Sequence, residues 1–285
     1  MLTMNLDQEE YWGKSDLGMM WLTYEDQLDQ LFAPVLDLVL DRAALKPGQR
    51  VLDIGCGTGV STLAAAKGVG PKGDVLGIDI SKQFLARAEA RASQLGLANA
   101  TFQYADAQTG DLAAGNRDVA ISRFGVMFFD DPVAAFTNMA RGLKPGGRFV
   151  FAAWGELSEN PWFKIPHVAA VKRMGQPPKV DRNAPGPLAF HDRERVADLL
   201  DQAGLSEIRV EAIPLNLTGP KTAAGAAALS ARVGPSPRTI AHFNGTEADV
   251  IAVRDAVAQE FAPFETPQGT RIPAMINLLQ ARRPE

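Results

Sequence analysis

The chain predicts an α/β fold built on a parallel sheet with helices on both faces. Three observations carry this. Short apolar runs alternate with helical patterns between residues 50 and 154. The stretch VLDIGCGTG, 51–59, passes from a buried-strand pattern (Val51, Leu52, Ile54) through three glycines into an Ala-rich helical segment. An LKPG turn occurs twice, at 45–48 and 143–146, each time ahead of a strand. Strands alternating with helices at this rhythm need crossover connections, which make neighbouring strands parallel.

The elements follow in order. Leu28, Leu31, Phe32, Val35, Leu36, Val39 and Leu40 recur at helical spacing, and Pro34 inside that pattern predicts a kink or a fresh helix start. Strands are expected at 50–54, 74–80, 100–107, 118–122 and 148–154. The helix at 59–68 joins the first two strands. Ser81 is placed to cap the next helix, with Phe84, Leu85, Ala88 and Leu95 on its inner face. Asp131-Pro132 is an N-cap followed by proline at the first helical position. After Trp154 the rhythm changes. Residues 155–190 are rich in proline and glycine, with a helical piece around 162–174. A helix with Val196, Leu199, Leu200 and Ala203 inward stops at Gly204, and a strand is expected at 207–215. Residues 219–267 read as two Ala-rich helical patches, and 269–283 as a last strand. The segments 155–190 and 219–267 are expected to form a cap over the strand ends.

Composition narrows the function. Of 285 residues, 46% are hydrophobic and 22% charged, the balance of a globular protein. A net charge of −4 and the lack of any basic cluster interleaved with aromatics argue against a nucleic-acid or anionic-lipid partner. Cys56 is the sole cysteine, so no intrachain disulfide and no cysteine-based metal site is expected. No apolar run resembles a signal peptide or a membrane span, which points to a cytoplasmic protein without membrane insertion.

The glycine turn poses the chemical question. A strand-to-helix turn of bare backbone lets a ligand approach free N–H groups and the positive end of a helix dipole. A dinucleotide fingerprint would place glycine at position 60, which is Val60, and Asp53 would repel a pyrophosphate. A ligand carrying ammonium and sulfonium groups, as S-adenosylmethionine does, would welcome that acid. Asp79 ends the second strand, where it can accept ribose hydroxyls. Asp106, with Ala107 beside it, ends the third, placed to meet an adenine amino group. Three acids at successive strand ends line one crevice, where open α/β sheets bind ligands.

With these residues in order, the stretch 45–155 resembles the class I S-adenosylmethionine-dependent methyltransferases. VLDIGCGTG, GIDIS and YADAQ are similar to their first three motifs. DVAISRFGVMFFDDP and LKPGGRFVFAAW are similar to their fourth- and fifth-strand segments. The nearest members are the small-molecule group that includes the ubiquinone and menaquinone biosynthesis C-methyltransferases. The resemblance implies a Rossmann-like sheet of seven strands, the last antiparallel. It also implies cofactor contacts within the first motif, Gly55, Cys56, Gly57 and Gly59, and from Asp79, Ile80, Asp106, Ala107 and Ser122. Asn-Pro-Pro-Tyr, which marks many nucleic-acid and protein-glutamine N-methyltransferases, is replaced here by Ser122-Arg123-Phe124.

Transfer to a neutral amine needs no base, whereas a hydroxyl or carbon acid does. The candidates are His167, His191, His242, Tyr11, Tyr24 and Glu156. His167 falls just after strand five, near the acceptor, so it is the candidate base; His191, beside Asp192 at a helix start, suits capping. Arg123 and Phe124 sit at the mouth of the crevice, and Arg123 suits an acidic substrate group or a salt bridge. Trp12, Trp21 and Tyr24 precede the core and suit a lid over the cofactor, with Trp12 reaching the substrate. The chain thus divides into a lid at 1–44, a cofactor-binding core at 45–155, and 156–285, which completes the sheet and carries the cap. A small-molecule methyltransferase, monomeric or homo-oligomeric, releasing S-adenosylhomocysteine is expected. The alternatives are a catalytically silent cofactor-binding regulator and, disfavoured by Asp53 and Val60, a dehydrogenase.

Overall fold

The computed structural model describes Trp12 and residues 16–112 and 115–285. Three helices open it, α1 (Asp16–Thr23), α2 (Glu25–Leu31) and α3 (Ala33–Ala43). Pro34 produces a fresh start, because it sits in the first turn of α3, where its missing N–H costs nothing. Then follow β1 (Arg50–Ile54), α4 (Val60–Val69), β2 (Asp74–Asp79), α5 (Lys82–Gln94), β3 (Ala100–Tyr104), β4 (Arg117–Arg123), α6 (Pro132–Gly142) and β5 (Leu143–Trp154). Ser81 caps α5 by accepting from Phe84 N–H, and Asp131 caps α6 by accepting from Ala134 N–H. The second half contains α7 (Pro161–Met174), α8 (Arg193–Gln202), β6 (Ser206–Thr218), α9 (Ala223–Val233), α10 (Ser236–His242), α11 (Glu247–Phe261), β7 (Glu265–Thr266) and β8 (Gly269–Arg282).

The sheet order is β3-β2-β1-β4-β5-β8-β6, with two-residue β7 paired to β8 alone. Strands β1 to β5 pair in parallel, and β8 runs antiparallel between β5 and β6. This is the expected seven-stranded, Rossmann-like sheet. Alternation along β1 shows why helices cover both faces. Asp53 points to α4, accepting from Ser61 and Thr62, whereas Leu52 points to α6 and lies within 4 Å of where a side chain on Gly142 would stand. Val51, Leu52 and Ile54 are buried, so β1 lies in the core. The strand order reverses between β1 and β4, which leaves a crevice at their carboxyl ends.

The segment 219–267 holds three helices rather than two patches. Proline and serine in GPSP start α10 as a separate short helix, and Thr246 with Asp249 forms a capping box that starts α11. These helices pack with α7 into one cap. Trp162 of α7 stacks on Phe261 of α11 with ring centroids 6.2 Å apart. The cap is tied to the sheet by Asn160, whose side chain donates to Met275 O (3.2 Å) and accepts from Met275 N–H (3.0 Å) on β8. Among the described residues, no helix is long and apolar enough to cross a membrane.

Candidate active site

A cavity of about 920 Å³ opens at the carboxyl ends of β1, β2, β4 and β5. Its floor is Ile54–Thr58, Ile78–Ile80, Ala105–Ala107 and Arg123–Gly125; its roof is the cap, including 176–182, 184–188 and Val233–Pro235. The segments 155–190 and 219–267 therefore both reach the cavity that holds Gly55 and Asp106.

The glycine turn is shaped by close approach. Gly55 has φ +63°, and a Cβ there would stand 2.6 Å from Gly125 Cα, so a side chain would force β1 and the loop after β4 apart. Gly57 has φ +55° but nothing within 4 Å of its would-be Cβ. Its backbone faces open cavity, as a ligand cradle requires. Asp79 fixes this turn. Its Oδ2 accepts from Gly57 N–H at 2.9 Å and its Oδ1 from Ser81 N–H at 2.8 Å. Burial pushes the Asp79 carboxyl up to about 6, against these opposing hydrogen bonds. Asp106 accepts from Gln108 N–H at 2.8 Å, which holds it at the start of the loop after β3. Ile80, Ala107 and Cys56 also line the cavity, and burial pushes the Cys56 thiol well above its ordinary range.

Three expected contacts lie behind the wall. Asp53 is fully buried and faces α4; its Oδ2 accepts from Ser61 and Thr62 hydroxyls, each at 2.6 Å, and burial raises its carboxyl to about 6. Gly59 caps α4 at φ +88°, packed against Ala88 and Phe102. Ser122 donates to Ile54 O at 2.7 Å and accepts from Gly125 N–H at 3.0 Å. None of the three lines the cavity. They adjoin residues that do: Asp53 accepts from Ser61, and Ser122 links Ile54 to Gly125.

Arg123 and Phe124 are on the wall, as expected from their place in the sequence. Arg123 is nearly buried, and its Nη2 donates to Asp29 Oδ1 of α2 at 3.2 Å. Asp29 also accepts from Arg91, which reaches on to Thr58 in the glycine turn. Phe124 adopts φ +71°, a left-handed conformation that costs a side chain energy. The tertiary structure maintains it by stacking Phe124 on Trp154, 4.5 Å between centroids and 6° between planes. Trp12 also lines the cavity, edge-on to Trp21 and Phe128, with its carbonyl accepting from Ser81 Oγ at 3.2 Å.

Of the candidate bases, His167 on α7 lines the cavity. His191 does not, nor does it cap: Asp192 caps α8, and His191 Nδ1 lies 2.8 Å from Leu188 O. His242, Tyr24 and Glu156 are off the wall, and Tyr11 lies outside the described residues. Sequence reasoning missed Trp162, Phe163, Lys179, Arg182 and Arg238 as cavity residues. The departure from sheet rhythm marked their segments but could not say which side chains turn inward.

A family model described as a methyltransferase domain matches residues 45–204. The chain belongs to the S-adenosylmethionine-dependent methyltransferases. It is 32% identical over 203 residues to nocamycin O-methyltransferase of Saccharothrix syringae, covering 68% of this chain and 72% of that one. It is 35% identical over 131 residues to aklanonic acid methyltransferase DauC of Streptomyces sp. (strain C5), covering 46% of this chain but only 60% of that relative, less than two thirds of its length. The fold is similar to that of phosphoethanolamine N-methyltransferase 2 of Haemonchus contortus, solved with phosphomonomethylethanolamine and S-adenosylhomocysteine: TM-score 0.60 and 21% identity over all of this chain and 61% of that one.

The residues fit the cofactor of this family. Asp79 presents a carboxylate on the cavity wall, oriented by the backbone N–H groups of Gly57, Ser81 and Ile80 and with acceptor capacity left for a ribose hydroxyl. The open space at Gly57 is a cradle that a Cβ would fill.

Proposed function

We propose that this protein transfers the methyl group of S-adenosylmethionine to a small organic acceptor bound under the cap, releasing S-adenosylhomocysteine. One observation carries this: the cavity combines the acid-lined glycine turn with an aromatic chamber built by the cap, so two ligands can meet in it. The cofactor supplies an electrophilic methyl group on a sulfonium. The acceptor's lone pair forms the new bond to carbon as the methyl–sulfur bond breaks and its electron pair returns to sulfur.

The residues divide between the two ligands. Gly55, Cys56, Gly57, Asp79, Ile80, Asp106 and Ala107 hold the cofactor, with Asp53, Gly59 and Ser122 bracing them. Phe124, Arg123 and Trp12 contact the acceptor, and the enclosed walls align the reacting atoms and exclude water. The name of the Saccharothrix syringae relative speaks for oxygen as the acceptor atom. An acceptor hydroxyl then loses its proton to His167, half-buried on α7. On this reading 1–44 is the lid, 45–155 binds the cofactor, and the insertions at 156–190 and 219–267 shape the acceptor site of a cytoplasmic enzyme.

Incubating the protein and a cell extract with methyl-labelled S-adenosylmethionine tests this. A labelled small molecule formed with stoichiometric S-adenosylhomocysteine is expected. A folded protein that binds S-adenosylhomocysteine yet labels nothing would favour a silent binding protein instead.

A further inference from the structure

Every tryptophan of the chain, Trp12, Trp21, Trp154 and Trp162, lines this one cavity. The rings of Trp12, Trp21 and Trp154 belong to one continuous set, in which Trp21 meets Trp12 edge-on and stacks on Phe32, and Phe32 meets both Phe124 and Trp154. Trp12 packs with Phe84 and Phe128 at the end of the set nearest Asp79. Trp154 packs with Phe124 and Phe163 under the cap; Phe163 meets it edge-on at 4.8 Å and Phe124 lies parallel to it. An aromatic wall of this kind suits flat conjugated molecules, which gain from edge-to-face contacts as well as burial.

The charge of this second end differs from the first. Acids Asp79 and Asp106 belong to the glycine-turn side. The cap side contributes Lys179 and Arg182 from the proline-rich strap 176–188, and Arg238 from α10, against one acid, Asp181. Asp181 is engaged by Asn183 N–H at 2.9 Å. Arg182 lies 3.8 Å from Glu156 with both side chains about half exposed, a pair that water screens. The acceptor end is thus aromatic inside and cationic at its rim.

Resting on the methyltransferase reading, we infer that the acceptor is an aromatic carboxylate: its ring system lies against Trp154 and Phe124, and its anionic group faces Lys179, Arg182 and Arg238. Guanidinium groups suit this because they offer paired donors to a carboxylate. The strap's four prolines, Pro177, Pro178, Pro185 and Pro187, limit how far its cations can move away.

Protein saturated with S-adenosylhomocysteine is titrated with 2-naphthoate, 2-naphthamide and cyclohexanecarboxylate, followed by calorimetry and tryptophan fluorescence. Naphthoate is expected to bind at least tenfold more tightly than either analogue and to quench the fluorescence. The triple variant Lys179→Gln, Arg182→Gln, Arg238→Gln should bring naphthoate within twofold of the amide while leaving S-adenosylhomocysteine affinity unchanged. The exposed single change Lys179→Gln, which asks nothing of the fold, should lower naphthoate affinity at least twofold. Equal binding of acid and amide, equal binding of naphthoate and cyclohexanecarboxylate, a preference that survives the substitutions, or no naphthoate binding overturns the inference. Failure of S-adenosylhomocysteine itself to bind overturns the methyltransferase reading beneath it.

Discussion

Asp79 joins β2 to the glycine turn of β1 and leaves acceptor capacity for the cofactor's ribose. Asp79→Ala should weaken S-adenosylhomocysteine binding by about 1.5–3 kcal/mol, the range for a hydrogen bond to a charged group. Calorimetry on a variant with unchanged circular dichroism checks it. Burial raises this carboxyl from 3.8 to about 6, so the fold favours its protonated form. Its contribution to stability is therefore full below about 4 and lost as pH rises through about 6. Ligand binding runs the other way, because the ionised carboxylate is the better acceptor for hydroxyls. Cofactor affinity should fall as pH drops through about 6, and Asp79→Asn should flatten that profile. Which ligand suits acids beside bare glycines was legible from residue type and spacing alone. That Asp53 turns to α4 while Asp79 turns to the cavity was not, because a side chain's face depends on strand register and on what packs above it.

At the scale of elements, α2 is held to β4 and α5 by charge. Asp29 is shared by Arg123 and Arg91, and Glu25 pairs with Arg87. Arg123 is about 10% exposed and Asp29 about 16%, so little water reaches either group. Removing one partner strands the other, which costs about 3–5 kcal/mol for a buried pair. Asp29→Ala should therefore lower the unfolding free energy by about that amount, read as a shift of the urea midpoint, whereas Glu211→Ala, which breaks the exposed pair with Arg42, should cost about 1 kcal/mol or less. The helix itself was visible as Leu28, Leu31 and Phe32 at helical spacing. Its acidic partners were invisible, since the arginines they meet stand 62 and 94 residues away along the chain.

For the whole molecule, the cavity lies between sheet and cap, so a ligand bound there bridges two structural layers. Binding to the folded state alone stabilises it by about 2.7 kcal/mol at 100 times the dissociation constant. S-adenosylhomocysteine at that level should raise Tm by about 4–5 °C for a chain of this size, a shift that scanning calorimetry detects. An unchanged Tm would mean that the ligand does not bind the folded chain.

Sequence alone determined the sheet, its flanking helices, the glycine turn and the order of Asp79 and Asp106 along the strand ends. These are local matters: hydrophobic period, caps at Ser81 and Asp131, and glycine where φ is positive. It also marked 155–190 and 219–267 as departures from the sheet rhythm. Tertiary structure decided the rest. It split 219–267 into three helices, moved Asp53, Gly59 and Ser122 behind the wall, took His191 away from the cap of α8, and brought four tryptophans from both ends of the core into one chamber. Side chains far apart in the chain meet only when layers pack, and no local period encodes which of them face the space between.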